Sequence, residues 1–211
     1  DLLIALFFDV LIGDPYFLPH PVRLMGKIIE YEEKTVRKIA RNDRELKVLG
    51  GLIVLVNVSI AYTIPFFLLT FVKKSTLFYH AVNTYFLFTC VSAGCLHREA
   101  MKVYDYLSKG LEEARYKLSF IVGRDTANLS QKEIIRAAVE TVAENTCDGV
   151  IAPLVYALIG GAPLAFTYKM VNTMDSMLGY MNERYRHIGF FPAKTDDLFN
   201  FFPSRLTGIL M

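Results

Sequence analysis

The sequence has no tryptophan, three cysteines and four histidines in 211 residues. Two cysteines, Cys90 and Cys95, lie inside one apolar run, the third is Cys147, and no CxxC occurs. They read as structural thiols, since zinc or redox chemistry needs paired thiolates at ligand spacing. His20, His80, His97 and His187 are scattered without an HExxH pattern, so the sequence makes no case for a zinc site. The glycine-rich GxxxxGK loop, GxGxxG and GxSxG are also missing. Any nucleotide must therefore be held by another arrangement. No internal repeat or low-complexity stretch is present. A net charge of +2 gives no reason to expect nucleic acid as a partner. Neither end has the basic leader and small-residue cleavage site of a signal peptide.

What the chain has instead is long charge-free stretches within a composition that is 53% apolar. Gly51 to Val72 and Ser75 to Leu96 each run for 22 residues without Asp, Glu, Lys or Arg. Both exceed the roughly 20 residues that a helix needs to cross a ~30 Å hydrocarbon core. Only Lys73 and Lys74 separate them, which predicts an antiparallel helical hairpin. A third run, Gly149 to Tyr168, has spanning length but contains Pro153, Gly160, Gly161 and Pro163, and reads as a broken or re-entrant helix. Eight Lys and Arg lie between Val22 and Val48 and eight between His97 and Asp148, which places both flanks on the cytoplasmic side. The expectation is an all-α, multi-pass protein of the cytoplasmic membrane, one membrane-embedded domain over residues 1–211 with the lipid bilayer as its surroundings. Its polar regions are 9–30, 121–148 and 169–205, the site faces the cytoplasm, and the chain reads as a piece of a longer protein.

The polar segments carry the candidate chemistry. Ser130 and Glu133 have capping-box spacing and predict a helix from Gln131 to about Asn145. Its expected apolar face is Ile135, Ala138, Val139 and Val142, while Arg136, Glu140, Glu144 and Asp148 recur four apart on another face. Glu140 reads as half of a surface pair with Arg136. Glu144, Asn145 and Asp148 sit where the helix meets the charge-free run, and carboxylates at a membrane boundary usually have a partner or a task. A second amphipathic helix is expected over Lys169 to Arg186. Asn172, Asp175, Ser176, Gly179 and Glu183 form its polar stripe, and Met170, Met174, Met177 and Met181 an apolar stripe suited to core packing. A face of Asn, Asp, Ser and Gly suits close approach of a polar ligand or Mg²⁺. Asp196, Asp197 and Asn200 offer oxygen ligands for Mg²⁺ within one turn, or a helix cap. Gly123 with Arg124, Asp125 and Thr126 precedes a helix and could receive a phosphate. Asp14, His20 and Arg23 sit in a proline-stiffened segment that could hold them rigidly.

GDPYFLPHPVRLMGKII, IVGRDT, AENTCDGVIAPL, NTMDSMLGYMNERY and DDLFNFFPSRLT, taken in order, resemble one family. It is adenosylcobinamide-phosphate synthase, the CobD/CbiB integral membrane proteins of cobalamin biosynthesis, and the resemblance runs from Asp9 to Thr207. The family more often has Ala where Ser204 stands, and a further C-terminal part of the family is absent. The resemblance implies an amide-forming ligase that uses ATP and Mg²⁺. It would join aminopropanol, or its O-phosphate, to a propionate side chain of (adenosyl)cobyric acid. On that reading Asp196, Asp197 and Asn200, or the Asp175 stripe, hold Mg²⁺-nucleotide, and Arg124 and Arg23 neutralise phosphate. Glu144, Asp148, Asp175 and Glu183 are the candidate catalytic carboxylates. Asp125, Thr126, Asn145, Asn172, Ser176, His20 and Asp14 would contact substrate. A homo-oligomer, or association with other membrane proteins of the corrinoid pathway, is left open. Two other classes compete: AmpE-type membrane proteins linked to signalling, and a transporter of a corrinoid or other polar solute, which a broken helix would suit.

Overall fold

The first charge-free run lies within the longest helix of the computed structural model, which describes residues 1–13 and 19–211. Among the described residues every regular element is helical: α1 (Leu2–Ile12), α2 (Pro21–Ile39), α3 (Asp43–Val72), α4 (Thr76–Cys90), α5 (Ala93–Leu107), α6 (Leu111–Leu118), α7 (Gln131–Thr146), α8 (Ala152–Leu178) and α9 (Phe190–Leu210). A π-helical turn, Cys147–Ile151, joins α7 to α8. Asn42 caps α3 by accepting a hydrogen bond from the Glu45 amide at 2.9 Å. Two runs are long and apolar enough to cross a membrane: α3, and the stretch Gln131–Leu178 that includes α7, the π turn and α8.

That second stretch is not straight. Gly160 and Gly161 leave helical geometry, Gly161 with φ 69° and ψ −163°, and Pro163 follows. Gly161 is the residue type that adopts such a backbone without steric penalty. The chain reverses there. Tyr156 and Tyr168 stack with ring centroids 5.2 Å apart, whereas twelve residues of straight helix would separate them by about 18 Å. The broken reading of Gly149 to Tyr168 therefore describes a helical hairpin with its tip at Gly160–Gly161. Counted from Gly149 to Gly160 and back from Gly161 to Asn172, each arm covers roughly 16 Å by helical rise, about half of a hydrocarbon core.

The second charge-free run departs from expectation, because 75–96 is not one spanning helix. The Lys73–Lys74 turn forms as expected, with the Ser75 amide bonded to the Val72 carbonyl at 3.0 Å, but α4 ends at Cys90 after 15 residues. Val91 and Ser92 are non-helical, and α5 then carries on into the charged region. The cause is tertiary. The Ser92 amide donates to the Gly149 carbonyl at 2.9 Å, and the Ser92 hydroxyl reaches the same oxygen at 3.3 Å. A break in one apolar helix is thus closed by the π turn of another. The fit needs Gly149, since a Cβ there would lie 2.5 Å from Ser92 Oγ.

α8 is the centre of the packing, in contact with α2, α3, α4 and α9. Met170 and Met174 are buried in the main core beside Phe86, Phe166 and Ile188, and Met177 is partly buried against it, as the apolar stripe predicts. Met181 does not continue it, being 88% exposed beyond the end of α8. A second, smaller core forms from Val103, Ala114, Leu118, Ile134 and Ala137. Here the expected face of α7 is corrected. Ile134 and Ala137 are buried and Ala138, of the expected face, packs against this core, whereas Ile135 and Val139 are 46% and 63% exposed. The helix is rotated so that small Ala137 meets Ala114 and Leu118, and the bulkier residues face outward along α5.

Glycine substitutions separate these causes. Gly149→Ala should lower the unfolding temperature in detergent, and Ser92→Gly in the same chain should restore part of the loss. Gly161→Ala should cost about 1–3 kcal/mol, because its φ and ψ lie in a region that essentially only glycine adopts. Gly208→Ala, inside α9 with nothing within 4 Å of the added carbon, should instead be neutral or stabilise by up to about 1 kcal/mol. Thermal unfolding of the three glycine-to-alanine variants and of the Gly149→Ala, Ser92→Gly double variant checks these effects.

Candidate active site

Reversal at Gly160–Gly161 returns the start of the hairpin and its second arm to the same place. The Asn172 side-chain amide lies 3.4 Å from Asp148 Oδ2, across 24 residues of chain. Around this pair opens a polar cleft of about 350 Å³, walled by Thr141, Glu144, Asn145 and Asp148 on one side and Asn172, Asp175, Ser176 and Gly179 on the other. Ile121, Val122, Gly123 and Tyr180 complete its lining. Six residues selected from the sequence, Glu144, Asn145, Asp148, Asn172, Asp175 and Ser176, thus share one cavity. The capping box that starts its first wall is present, with Glu133 accepting from the Ser130 amide at 2.7 Å and Ser130 Oγ from the Glu133 amide at 3.4 Å. Gly179 ends α8 with its amide bonded to the Asp175 carbonyl at 2.7 Å. A Cβ on Gly179 would fall 1.9 Å from Asp175 Oδ1. The bare glycine therefore makes room for the Asp175 carboxylate itself.

Behind the cleft lies a buried relay. Tyr168 is fully buried and its hydroxyl donates to Asn200 Oδ1 at 2.9 Å. Asn200 Nδ2 then donates to Asp196 Oδ2 at 2.8 Å. Asp196 Oδ1 is buried and makes no hydrogen bond within 3.5 Å among the described residues, a costly state for an ionised oxygen. Burial first, then the negative charges of Asp175 and Asp148, push the Asp196 pKa up to about 7. Sequence reasoning missed Tyr168 as a site residue. Its signal was the spacing Tyr168, Asn172, Asp175 and Gly179, which extends the polar stripe one turn into the apolar run.

Other selected residues lie elsewhere. Glu183 is exposed in the segment after α8, because the helix expected to Arg186 stops at Leu178. Asp125 accepts from the Ala127 amide at 2.9 Å, and buried Thr126 donates to the Arg115 carbonyl at 3.0 Å, so both hold their own loop together. Arg124 reaches Glu140 at 3.3 Å, and Glu140 also takes Arg136 at 2.7 Å. Glu140 is the surface pair expected, and it ties Arg124 to the rim beside Gly123. Asp197 is exposed and paired with Lys194 at 2.8 Å, apart from the Asp196–Asn200 pair. His20 and Arg23 stand at the start of α2, outside the cleft lining. Asp14 lies outside the described residues.

The cleft is acidic, and no Lys or Arg side chain is among its walls. Such a cavity attracts cations, and a phosphate would enter it with its own counter-ion. Among the described residues no group of three or more His, Cys, Asp or Glu side chains is close enough to hold a metal by itself. The orphaned oxygen of Asp196 and the crowded carboxylates nonetheless suit a Mg²⁺ that keeps phosphate and water oxygens as its other ligands.

These elements are those of an all-helical membrane-type protein with an acidic cleft set on a helical hairpin. The chain belongs to the CobD/Cbib protein family, whose sequence profile matches residues 2–211. It is 58% identical to the cobalamin biosynthesis protein CobD of Clostridium acetobutylicum, over 100% of this chain and 67% of the relative. It is 46% identical to the CobD of Klebsiella pneumoniae, over 99% of this chain and 66% of the relative. It is also 43% identical to the cobalamin biosynthesis protein CbiB of Salmonella typhi, over the same shares. The chain thus spans about two thirds of the length of these relatives. No solved structure matches it.

The raised pKa of Asp196 fixes a pH dependence. The folded state binds this proton more tightly than the unfolded chain does, so stability is lost as pH rises from about 4 to about 7 and is level above. Asp196→Asn removes the titration and keeps the shape. In detergent without divalent cation, its unfolding temperature should gain on wild type between about pH 4 and pH 7 and no further above. A difference that stays constant across that range contradicts the assignment.

Proposed function

We propose that this chain carries the site of an ATP-dependent amide-forming ligase of cobalamin biosynthesis. The product is an amide between a propionate of (adenosyl)cobyric acid and aminopropanol or its O-phosphate. The observation that carries the reading is the convergence of Glu144, Asp148, Asn172, Asp175 and Ser176 in one acidic cleft, in a chain of the CobD/Cbib family.

An amine is protonated at neutral pH and cannot attack. A cleft walled by carboxylates binds the ammonium form, and Asp148 or Asp175 accepts its proton as it becomes a nucleophile. Asn172 and Ser176 supply a donor and a hydroxyl to orient the polar end of the amine. The propionate needs a better leaving group than oxide, and phosphorylation by ATP provides one. The C–N bond then forms as the acyl C–O bond breaks, and phosphate leaves. Asp196 and Asp175, with Asn200, would hold Mg²⁺, whose charge offsets that of the phosphates when it is bound. Arg124, at the rim, is positioned to meet phosphate on exchange from Glu140.

The site faces the cytoplasm on this reading, since the basic segments 22–48 and 97–148 flank the membrane runs. The hairpin enters the bilayer and returns, so that Glu144 and Asp175 share the face where ATP is found. In sealed vesicles, cysteines at Asn128 and Asn182 should be labelled from the cytoplasmic side and one at Lys74 from the other. Labelling of positions 128 and 182 from opposite faces overturns the re-entrant placement.

Mass spectrometry tests the chemistry. Cobyric acid incubated with the full-length protein, Mg²⁺-ATP and aminopropanol phosphate should gain the mass of the amide. Asp175→Ala and Asp148→Ala should each lower the rate by at least about 10²-fold with unchanged membrane expression. Wild-type rates in both remove these residues from the mechanism. Solute uptake without a covalent product favours the transporter, which the broken hairpin would also serve.

A further inference from the structure

Away from the cleft, α3 changes character at one residue: Lys47 is its last charged position, and the charge-free run begins at Val48. Six Lys and Arg, from Lys34 to Lys47, lead up to that boundary. The tertiary structure adds two more from a distant segment. Arg37 donates to the Arg184 carbonyl at 2.7 Å, and His187 lies 3.3 Å from Asp43, which brings Arg184 and Arg186 beside the start of α3. The acidic groups here are already engaged. Glu30 pairs with Lys34, Glu33 with Arg37 and Arg184, Asp43 with His187, and Glu45 caps α3 through Asn42 and the Arg41 amide. Lys38, Arg41, Arg44 and Arg186 form no ion pair within the described residues.

Directly below this cationic shelf lies an apolar groove of about 530 Å³ between Val48, Leu52 and Leu55 of α3 and Phe191 and Thr195 of α9. Lys47 joins shelf to groove, its Nζ standing 3.3 Å from the centre of the Phe190 ring. Gly51 keeps the groove open on the α3 side, since a Cβ there would come within 3.1 Å of the Phe191 ring. We propose that this shelf and groove bind an anionic phospholipid. Its headgroup phosphate sits among Arg41, Arg44 and Lys47, and one acyl chain lies along Val48, Leu52 and Phe191. Unpaired cations at a helix's entry into lipid attract anionic headgroups, and an apolar channel continuous with them selects a ligand with a tail over a free phosphate. The assignment is independent of the reaction proposed for the cleft.

The test is thermal unfolding of the full-length protein in nonionic detergent. Phosphatidylglycerol should raise the unfolding temperature by about 5 °C. Phosphatidylcholine with the same chains, and soluble glycerol phosphate, should leave it unchanged. The Arg41→Gln, Arg44→Gln, Lys47→Gln triple variant should lose the phosphatidylglycerol shift while unfolding like wild type in phosphatidylcholine. Leu52→Trp, which fills the groove and leaves every charge in place, should lose the shift as well and serves alone if the triple variant does not fold. Equal stabilisation by phosphatidylcholine, a response to glycerol phosphate, or an undiminished shift in either variant overturns the proposal.

Discussion

The reversal at Gly160–Gly161 is the constraint on which the rest of this molecule depends. A backbone entering an apolar medium must satisfy its own hydrogen bonds, which favours continuing the helix. Two adjacent glycines allow the departure, Pro163 lies just beyond, and the stacked rings of Tyr156 and Tyr168 hold the arms together. Without the reversal, Asp148 and Asp175 would lie some 40 Å apart along a continuous helix. With it they line the same cavity.

Bringing carboxylates together in a half-buried place costs folding free energy, and Asp196 shows it most clearly. One of its oxygens accepts from Asn200 and the other makes no hydrogen bond among the described residues, while Asp175 and Asp148 add repulsion. A fold that keeps such a group is poised to gain from a cation. Tyr168 and Asn200 limit the strain by fixing one carboxylate oxygen. The hairpin that creates the crowding thus also supplies the residue that organises it.

The breaks in the apolar helices support one another. α4 stops where Ser92 bonds to the Gly149 carbonyl, and Gly149 belongs to the π turn that ends α7. One wall of the cleft is therefore set by a contact between two irregular turns, each of which needs the other to satisfy its backbone. The charged shelf at Lys47 and the groove below it belong to the opposite concern, that of seating α3 in its surroundings.

Much was legible in the sequence because it depends on local pattern. The absence of charge over Gly51 to Val72 dictates a long apolar helix. Ser130 and Glu133 fix the start of α7, and the spacing of Asn172, Asp175 and Ser176 puts them on one face. The motifs of the CobD/Cbib family were equally readable, since they are sequence. Tertiary structure decided what periodicity cannot see. It ended α4 at Cys90 and stopped α8 before Glu183. It rotated α7 onto Ile134 and Ala137, and it turned Asp125 and Thr126 to holding their loop. It also joined Tyr168 to Asn200 and Asp196. In each case the winning contact joins residues far apart in the chain, or depends on the space left by a neighbour, and a one-dimensional pattern holds neither.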